Sequence, residues 1–191
     1  MTTTNATANL KLDHLTVRRI RDIAQTCSNR LYDGNTNIPI EDMEIISVVI
    51  EEFVDRFHHG KEEKAYFPET ETKDHFSENI RKFLIEHELD RRIARMLRSH
   101  VQEWRSGIDS REPVARFLKS YAVFVTDHTG KEDKFFDLVE EKKSLSKDED
   151  ERLQKHYEIC KKDAGGQARV EELLKLIEYL EERDWMSDGQ Q

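Results

Sequence analysis

The chain has 191 residues, of which 37% are charged and 36% hydrophobic, and its formal net charge is −9. This length suits one sizeable domain with or without an extension, and the acidic surface argues against nucleic acid or anionic lipid as the main partner. Since no apolar run approaches the ~20 residues of a membrane helix and the first ten residues do not resemble a signal peptide, we expect a cytoplasmic protein.

Four long stretches of helix-spaced apolar residues follow one another along the chain. The first ends at the loop sequence YDGNTNIP, the second near Pro68, the third at Gly107 and the fourth near Leu138. Seven glycines and three prolines leave few turns for an all-β fold. Because the connections are short, neighbouring helices should be antiparallel. The pattern predicts an all-α fold, with an antiparallel up-down four-helix bundle over residues 10–141.

Two additional helices are predicted after the bundle, over residues 142–191. Ser146 followed by Glu149 has the spacing of a capping box, which marks a helix start, and Gly165-Gly166 marks the end of that helix. We expect this C-terminal extension to pack outside the bundle, and the alternative is that it binds a protein partner. The apolar face of the last helix comprises Leu173, Leu174, Ile177 and Leu180.

One short sequence occurs twice, as HHGKEEK at residues 58–64 and as HTGKEDK at residues 128–134. Both copies contain His-x-x-x-Glu, formed by His58 with Glu62 and by His128 with Glu132. In a helix this spacing puts the two side chains on one face, and here that face is the apolar one, where unsatisfied polar groups are costly. An ordinary hydrogen bond explains one such pair, whereas two pairs with the same spacing indicate a common ligand.

The other two helices of the predicted bundle each add an inward histidine, His14 and His87. Four imidazoles and two carboxylates that converge in a helical core predict a dinuclear transition-metal site, for which iron is the best match, followed by manganese or zinc. Symmetry assigns His14 and His58 to one metal and His87 and His128 to the other, with both glutamates bridging. The coordination positions that remain open would bind water, hydroxide or a small ligand such as dioxygen.

The order of these residues resembles the hemerythrin-like, HHE cation-binding domain family. The sequences HHGKEEKAYFP and EHELDRR are also similar to segments of that family, and the resemblance covers about residues 10–140. It implies a non-haem di-iron protein that binds or responds to dioxygen, nitric oxide or peroxide, in sensing, storage or protection. The family pattern H…HxxxE…H…HxxxE is met by His14, His58, Glu62, His87, His128 and Glu132.

One position departs from the oxygen-carrying hemerythrins, which have five histidines and a His-x-x-x-His on the third helix. Here Arg91 stands four residues after His87, which argues against reversible oxygen carriage and implies a more open site. The alternative functions are an enzyme that reduces peroxide or nitric oxide and an iron-handling or interaction module. A ferritin-like site is excluded because no glutamate lies three residues before any of the four histidines.

The remaining histidines are expected to lie outside the metal site. In an α-helix His59 is rotated by ~100° from His58, so we expect it to face solvent or to stand behind the ligands. His75 lies in a charged connection, His100 lies nearly four turns from His87, and His156 lies in the extension.

Overall fold

The computed structural model describes residues 5–34 and 37–187, and this described part is helical, without any strand. No helix in it is long and apolar enough to span a bilayer. The helices are α1 (Ala6–Tyr32), α2 (Ile40–Val49), α3 (Phe67–Thr70), α4 (Ser77–Arg105), α5 (Arg111–Glu141), α6 (Lys147–Asp163) and α7 (Gly166–Glu181), followed by a 3₁₀ turn (Asp184–Met186).

The starts of α1 and α6 have side-chain caps, and the sequence predicts the second of them. The side chain of Asn5 accepts a hydrogen bond from the Ala8 amide at 2.7 Å and caps α1. Ser146 and Glu149 form the predicted capping box at the start of α6. At the far end of α6 the chain reverses at Gly165, whose φ of 106° lies in the left-handed region that glycine tolerates best.

The second helix is continuous over residues 40–70, and most of its middle is wound as π-helix rather than α-helix. The π-helical segments are Ile50–His59 and Glu62–Tyr66, between α2 and α3. An ion pair of 2.5 Å between Glu51 and Arg56, five residues apart, fits this wider winding. π-Helical turns are rare and frequently occur at functional sites. Here they include His58, His59 and Glu62 of the HHGKE sequence, whereas Gly60 and Lys61 between them are α-helical.

The helices enclose two clusters of buried apolar side chains, and the predicted site lies between them. On α1, for example, His14 stands between Leu10 in one cluster and Val17 in the other. On α5, His128 stands in the same way between Val125 and Phe135. Apolar side chains above and below the polar layer exclude water from it, so its charges interact in a low-dielectric environment.

The C-terminal extension contributes to both apolar clusters. Leu173 and Leu180 of α7 are fully buried within one cluster, and Tyr157 of α6 packs into the other. The apolar face that we considered for a protein partner is therefore covered by the helices of the same chain. A buried carboxylate, Asp42 on α2, fixes the end of the extension by accepting hydrogen bonds from the Trp185 indole at 2.8 Å and from Arg183 at 2.9 Å.

Candidate metal centre

All six residues predicted as metal ligands are buried and converge in the layer between the two apolar clusters. Four of them form a first group, in which the nearest ligand atoms all lie within 4.8 Å of one another. A second group, defined by the same distance, contains three histidines. The first group is His14, His58, Glu62 and Glu132, and the second is His59, His87 and His128.

The burial of His59 contradicts the expectation that this residue faces solvent. Its side chain is only 2% exposed, and its ring stacks on the ring of His87 with a centroid distance of 3.8 Å and an angle of 13°. The expectation was wrong because it assumed α-helical rotation, whereas successive residues of a π-helix are rotated less. His58 and His59 therefore both face the core. The doubled histidine was the available signal, which the repeat comparison discarded because Thr129 occupies the matching position.

The two glutamates connect the two groups of histidines. Glu62 has Oε1 at 3.4 Å from His58 Nε2 and Oε2 at 3.4 Å from His87 Nε2. Glu132 has Oε2 at 3.3 Å from Nε2 of both His14 and His128, and Oε1 at 3.3 Å from His87 Nε2. Each carboxylate thus faces imidazoles of both groups.

A carboxylate lies behind each of the five imidazoles, on the side away from the centre. The Nδ1–H groups of His14, His87 and His128 each donate a hydrogen bond of 2.7 Å. This contact fixes the ring and directs Nε2 inward, as is usual for metal-binding histidines. The paired residues are His14 with Asp133, His87 with Glu63, His128 with Glu86, His58 with Asp13 at 3.4 Å and His59 with Asp55 at 3.6 Å.

We did not predict these outer carboxylates from the sequence, although a signal for them existed. Four of the five are direct neighbours in sequence of a predicted ligand, and therefore emerge on the edge of the same helix face. These four are Asp13, Glu63, Glu86 and Asp133. The pattern is ambiguous on its own because 37% of the residues are charged, so that acidic neighbours are common by chance.

Many of the atoms that face the centre have no hydrogen-bond partner. They include Nε2 of His14, His58 and His128, and both oxygens of Glu62. Although imidazole and carboxylate atoms approach each other to 3.3–3.4 Å, most of these contacts lack hydrogen-bond geometry. Unpaired polar atoms are costly in a dry core, and a cation would satisfy nitrogen and oxygen donors together. The residues present therefore fit a pair of metal ions.

The comparison with protein families agrees with this chemistry. The model of the hemerythrin HHE cation-binding domain matches residues 5–139, which include every member of both groups. The chain belongs to the hemerythrin HHE family. Neither a curated protein nor a solved structure matches the chain significantly. The C-terminal extension lies beyond the part that the family model matches.

The five clustered histidines of this HHE-family protein do not all come from the helices on which we expected them. We expected the lack of a histidine at position 91 to leave the site more open, but His59 supplies a fifth imidazole from the second helix instead. Arg91 itself bonds to Asp55 and Glu63 rather than facing the centre. Among the described residues the three other histidines belong to neither group, and His100 bonds to Glu103 at 2.7 Å.

The imidazoles of the HHE centre differ in their affinity for protons. Burial lowers the pKa of His14 and His87, but close carboxylates outweigh burial and raise each pKa to about 10. For His58 burial dominates and lowers the pKa to about 4, and burial also lowers the pKa of His59. Without a cation, two imidazoles would therefore hold protons at neutral pH, and metal binding has to displace them.

The two central carboxyls are also unequal. Burial and the charge of Glu132 raise the pKa of Glu62 well above its usual range. Burial opposes ionisation of Glu132 too, but the imidazoles of His128, His14 and His87 lower the pKa of that carboxyl well below its usual range. Burial and like charge therefore oppose simultaneous ionisation of the two carboxyls, and cations between them would favour it.

Proposed function

We propose that this HHE-family protein holds a dinuclear non-haem iron centre and binds or responds to dioxygen, nitric oxide or peroxide, in sensing, storage or protection. The observation that carries the proposal is the position of Glu62 and Glu132, each of which faces imidazoles of both groups at 3.3–3.4 Å. Mixed imidazole and carboxylate donors favour iron, with manganese or zinc as the alternatives.

His14 and His58 would hold one metal and His59, His87 and His128 the other, and Glu62 and Glu132 would be available to both. The first metal then has one protein ligand fewer than the second, so an exogenous ligand would bind there. Iron in that position supplies Lewis-acid and redox chemistry toward a small oxygen or nitrogen ligand. The buried ring of Phe136, whose centroid is 5.5 Å from that of His14, would help to exclude bulk water.

We also propose that the four bundle helices over residues 10–141 have antiparallel up-down connections, and that residues 142–191 form a C-terminal helical extension. Contacts at both ends of α1 support opposite directions for α1 and α5. Asn5 Nδ2 donates to Glu140 Oε1 at 3.3 Å, and Ser28 Oγ donates to the Ala115 carbonyl at 2.7 Å. A cytoplasmic location is part of the proposal, since Cys27 and Cys160 are buried free thiols.

The test is anaerobic purification or reconstitution with Fe²⁺, followed by metal analysis and optical spectra. We expect about two iron ions per chain and spectral changes on addition of nitric oxide, peroxide or dioxygen. Continuous consumption of peroxide or nitric oxide would instead favour the enzyme. The matched controls are His100→Ala, which should load normally, and Glu62→Gln with Glu132→Gln, which should not. Equal iron content in wild type and the double glutamine variant would refute the proposal.

A further inference from the structure

Arg91 binds two carboxylates of the second helix at once. Its Nε donates to Asp55 Oδ1 at 2.7 Å, and its terminal nitrogen donates to Glu63 Oε1 at 2.6 Å. The planar guanidinium has several donors in a fixed arrangement, so it can hold two acceptors without much further loss of side-chain entropy. Arg91 thereby bridges α4 to two points of the second helix, eight residues apart.

The two carboxylates bound by Arg91 are the ones behind two stacked imidazoles. Glu63 Oε1, which accepts from Arg91, also accepts from His87 Nδ1 at 2.7 Å. Asp55 Oδ1, the other acceptor, lies 3.6 Å from His59 Nδ1. The rings of His59 and His87 are in contact, with centroids 3.8 Å apart. A single guanidinium therefore holds the carboxylate that is hydrogen-bonded to His87 and the carboxylate that lies next to His59, just beyond hydrogen-bond distance.

Two other cationic side chains bond to a carboxylate behind one imidazole each. Arg18 bonds to Asp133 behind His14, and Lys131 bonds to Glu86 behind His128. Arg91 differs because it supports two histidines, one of which is in the π-helical segment. The bond from Arg91 to Asp55 also fixes the π-helical segment against α4, at a point four residues before His59. If this segment rewound to an α-helix, the His59 imidazole would rotate out of the core.

We propose that Arg91 is the positioning residue of the three-histidine group, which holds His59 and His87 in the orientation that binds one of the two metals. The inference rests on the proposed dinuclear centre. Glu63 Oε1 accepts from both His87 and Arg91, so the guanidinium acts on the imidazole through a shared acceptor. Oxygen-carrying hemerythrins have a metal-binding histidine at this position, whereas here Arg91 positions two histidines.

The first experiment measures the release of iron from the reconstituted full chain to a chelator. Carboxylates behind metal-binding histidines typically affect metal affinity ~10–100-fold, so Arg91→Ala should accelerate the release of one iron by roughly that factor and leave the other unchanged. Arg98→Ala is the matched control, because Arg98 lies on the same helix and bonds to Glu51, which is behind none of the five imidazoles. Equal acceleration of both irons, or of neither, would overturn the proposal.

Two further variants identify the metal that is affected and guard against misfolding. In a His59→Ala background only the path through Glu63 to His87 remains, so Arg91→Ala should accelerate release less than it does in the wild type, whereas Arg18→Ala should still accelerate the other iron in full. Full additivity of Arg91→Ala with His59→Ala would contradict the proposal. Arg91→Lys keeps the charge but cannot span two carboxylates in the same way, and it should give an intermediate release rate in a folded protein.

A measurement on the metal-free protein separates this inference from the proposed function. In ¹⁵N spectra of the imidazoles, Arg91→Ala should shift the resonances of His59 and His87 and leave those of His14 in place. Unchanged spectra would refute the role of Arg91 whether or not the protein binds metal. If the wild-type chain takes up no iron but these shifts occur, the dinuclear function fails and the positioning role of Arg91 remains.

Discussion

Replacing His59 with alanine should weaken the metal centre far more than it weakens the metal-free fold. In the metal-free protein the substitution removes a ring that packs on His87, but it also removes a buried Nδ1 that has no hydrogen-bond partner. Loss of the packing lowers the free energy of unfolding, whereas loss of the unsatisfied nitrogen raises it. The two effects partly cancel and leave a net loss of about 1–2 kcal/mol.

The metal-loaded protein loses a ligand in addition. If the metal at His59, His87 and His128 binds ~100-fold more weakly, the bound state loses about 2.8 kcal/mol, because each factor of ten corresponds to about 1.4 kcal/mol. For a chain of 191 residues, 1 kcal/mol shifts the melting temperature by about 2–4 °C. His59→Ala should therefore lower the melting temperature of the iron-loaded protein by roughly 6–11 °C more than it lowers that of the metal-free protein.

The assay is calorimetry of wild type and His59→Ala, each with saturating Fe²⁺ under anaerobic conditions and each after chelation, together with iron content per chain. His100→Ala is the control: this histidine is also partly buried and stacked on an aromatic ring, but it lies outside the centre. It should lower both melting temperatures equally. Full iron content in His59→Ala, with the same loss of melting temperature in both forms, would show that His59 only fills space.

The other predictions concern the carboxylates, the protons, the cation and the extension. Glu62→Ala should reduce iron content per chain more than His14→Ala, because both metals share the carboxylate; equal content would contradict bridging. Iron uptake near neutral pH should release protons, and apparent affinity should rise with pH, because His14 and His87 have pKa values of about 10 and must deprotonate to bind; calorimetry in buffers of different ionisation enthalpy measures the release. Chelation should lower the melting temperature by at least ~5 °C in one transition, since the extension shares both apolar clusters with the bundle; a separate transition of the extension would refute this. Asp42→Ala should cost about 2–4 kcal/mol in urea unfolding, because it leaves the buried Trp185 indole N–H without its acceptor; a cost below about 1 kcal/mol would contradict the anchoring role.

Much of the helical fold follows from local patterns in the sequence. Apolar residues at helical spacing predicted the long helices, and the Ser146–Glu149 capping box was confirmed at the start of α6. These features are predictable because they depend on residues within one or two turns of each other. The burial of the extension was harder to foresee, because an apolar helix face does not indicate whether it packs against its own chain or against another protein.

The sequence by itself determined the chemistry of the centre: inward histidines on four helices, two glutamates in His-x-x-x-Glu spacing, and membership of the HHE family over residues 5–139. The tertiary structure decided how these donors are arranged in space. It brought His59 into the core through π-helical winding, which a periodicity of 3.6 residues per turn does not represent. It also brought Asp55 and Glu63 to Arg91 across two helices. Spacing along one helix determines which side chains share a face, whereas contacts between helices depend on their rotation and packing, which no local pattern contains.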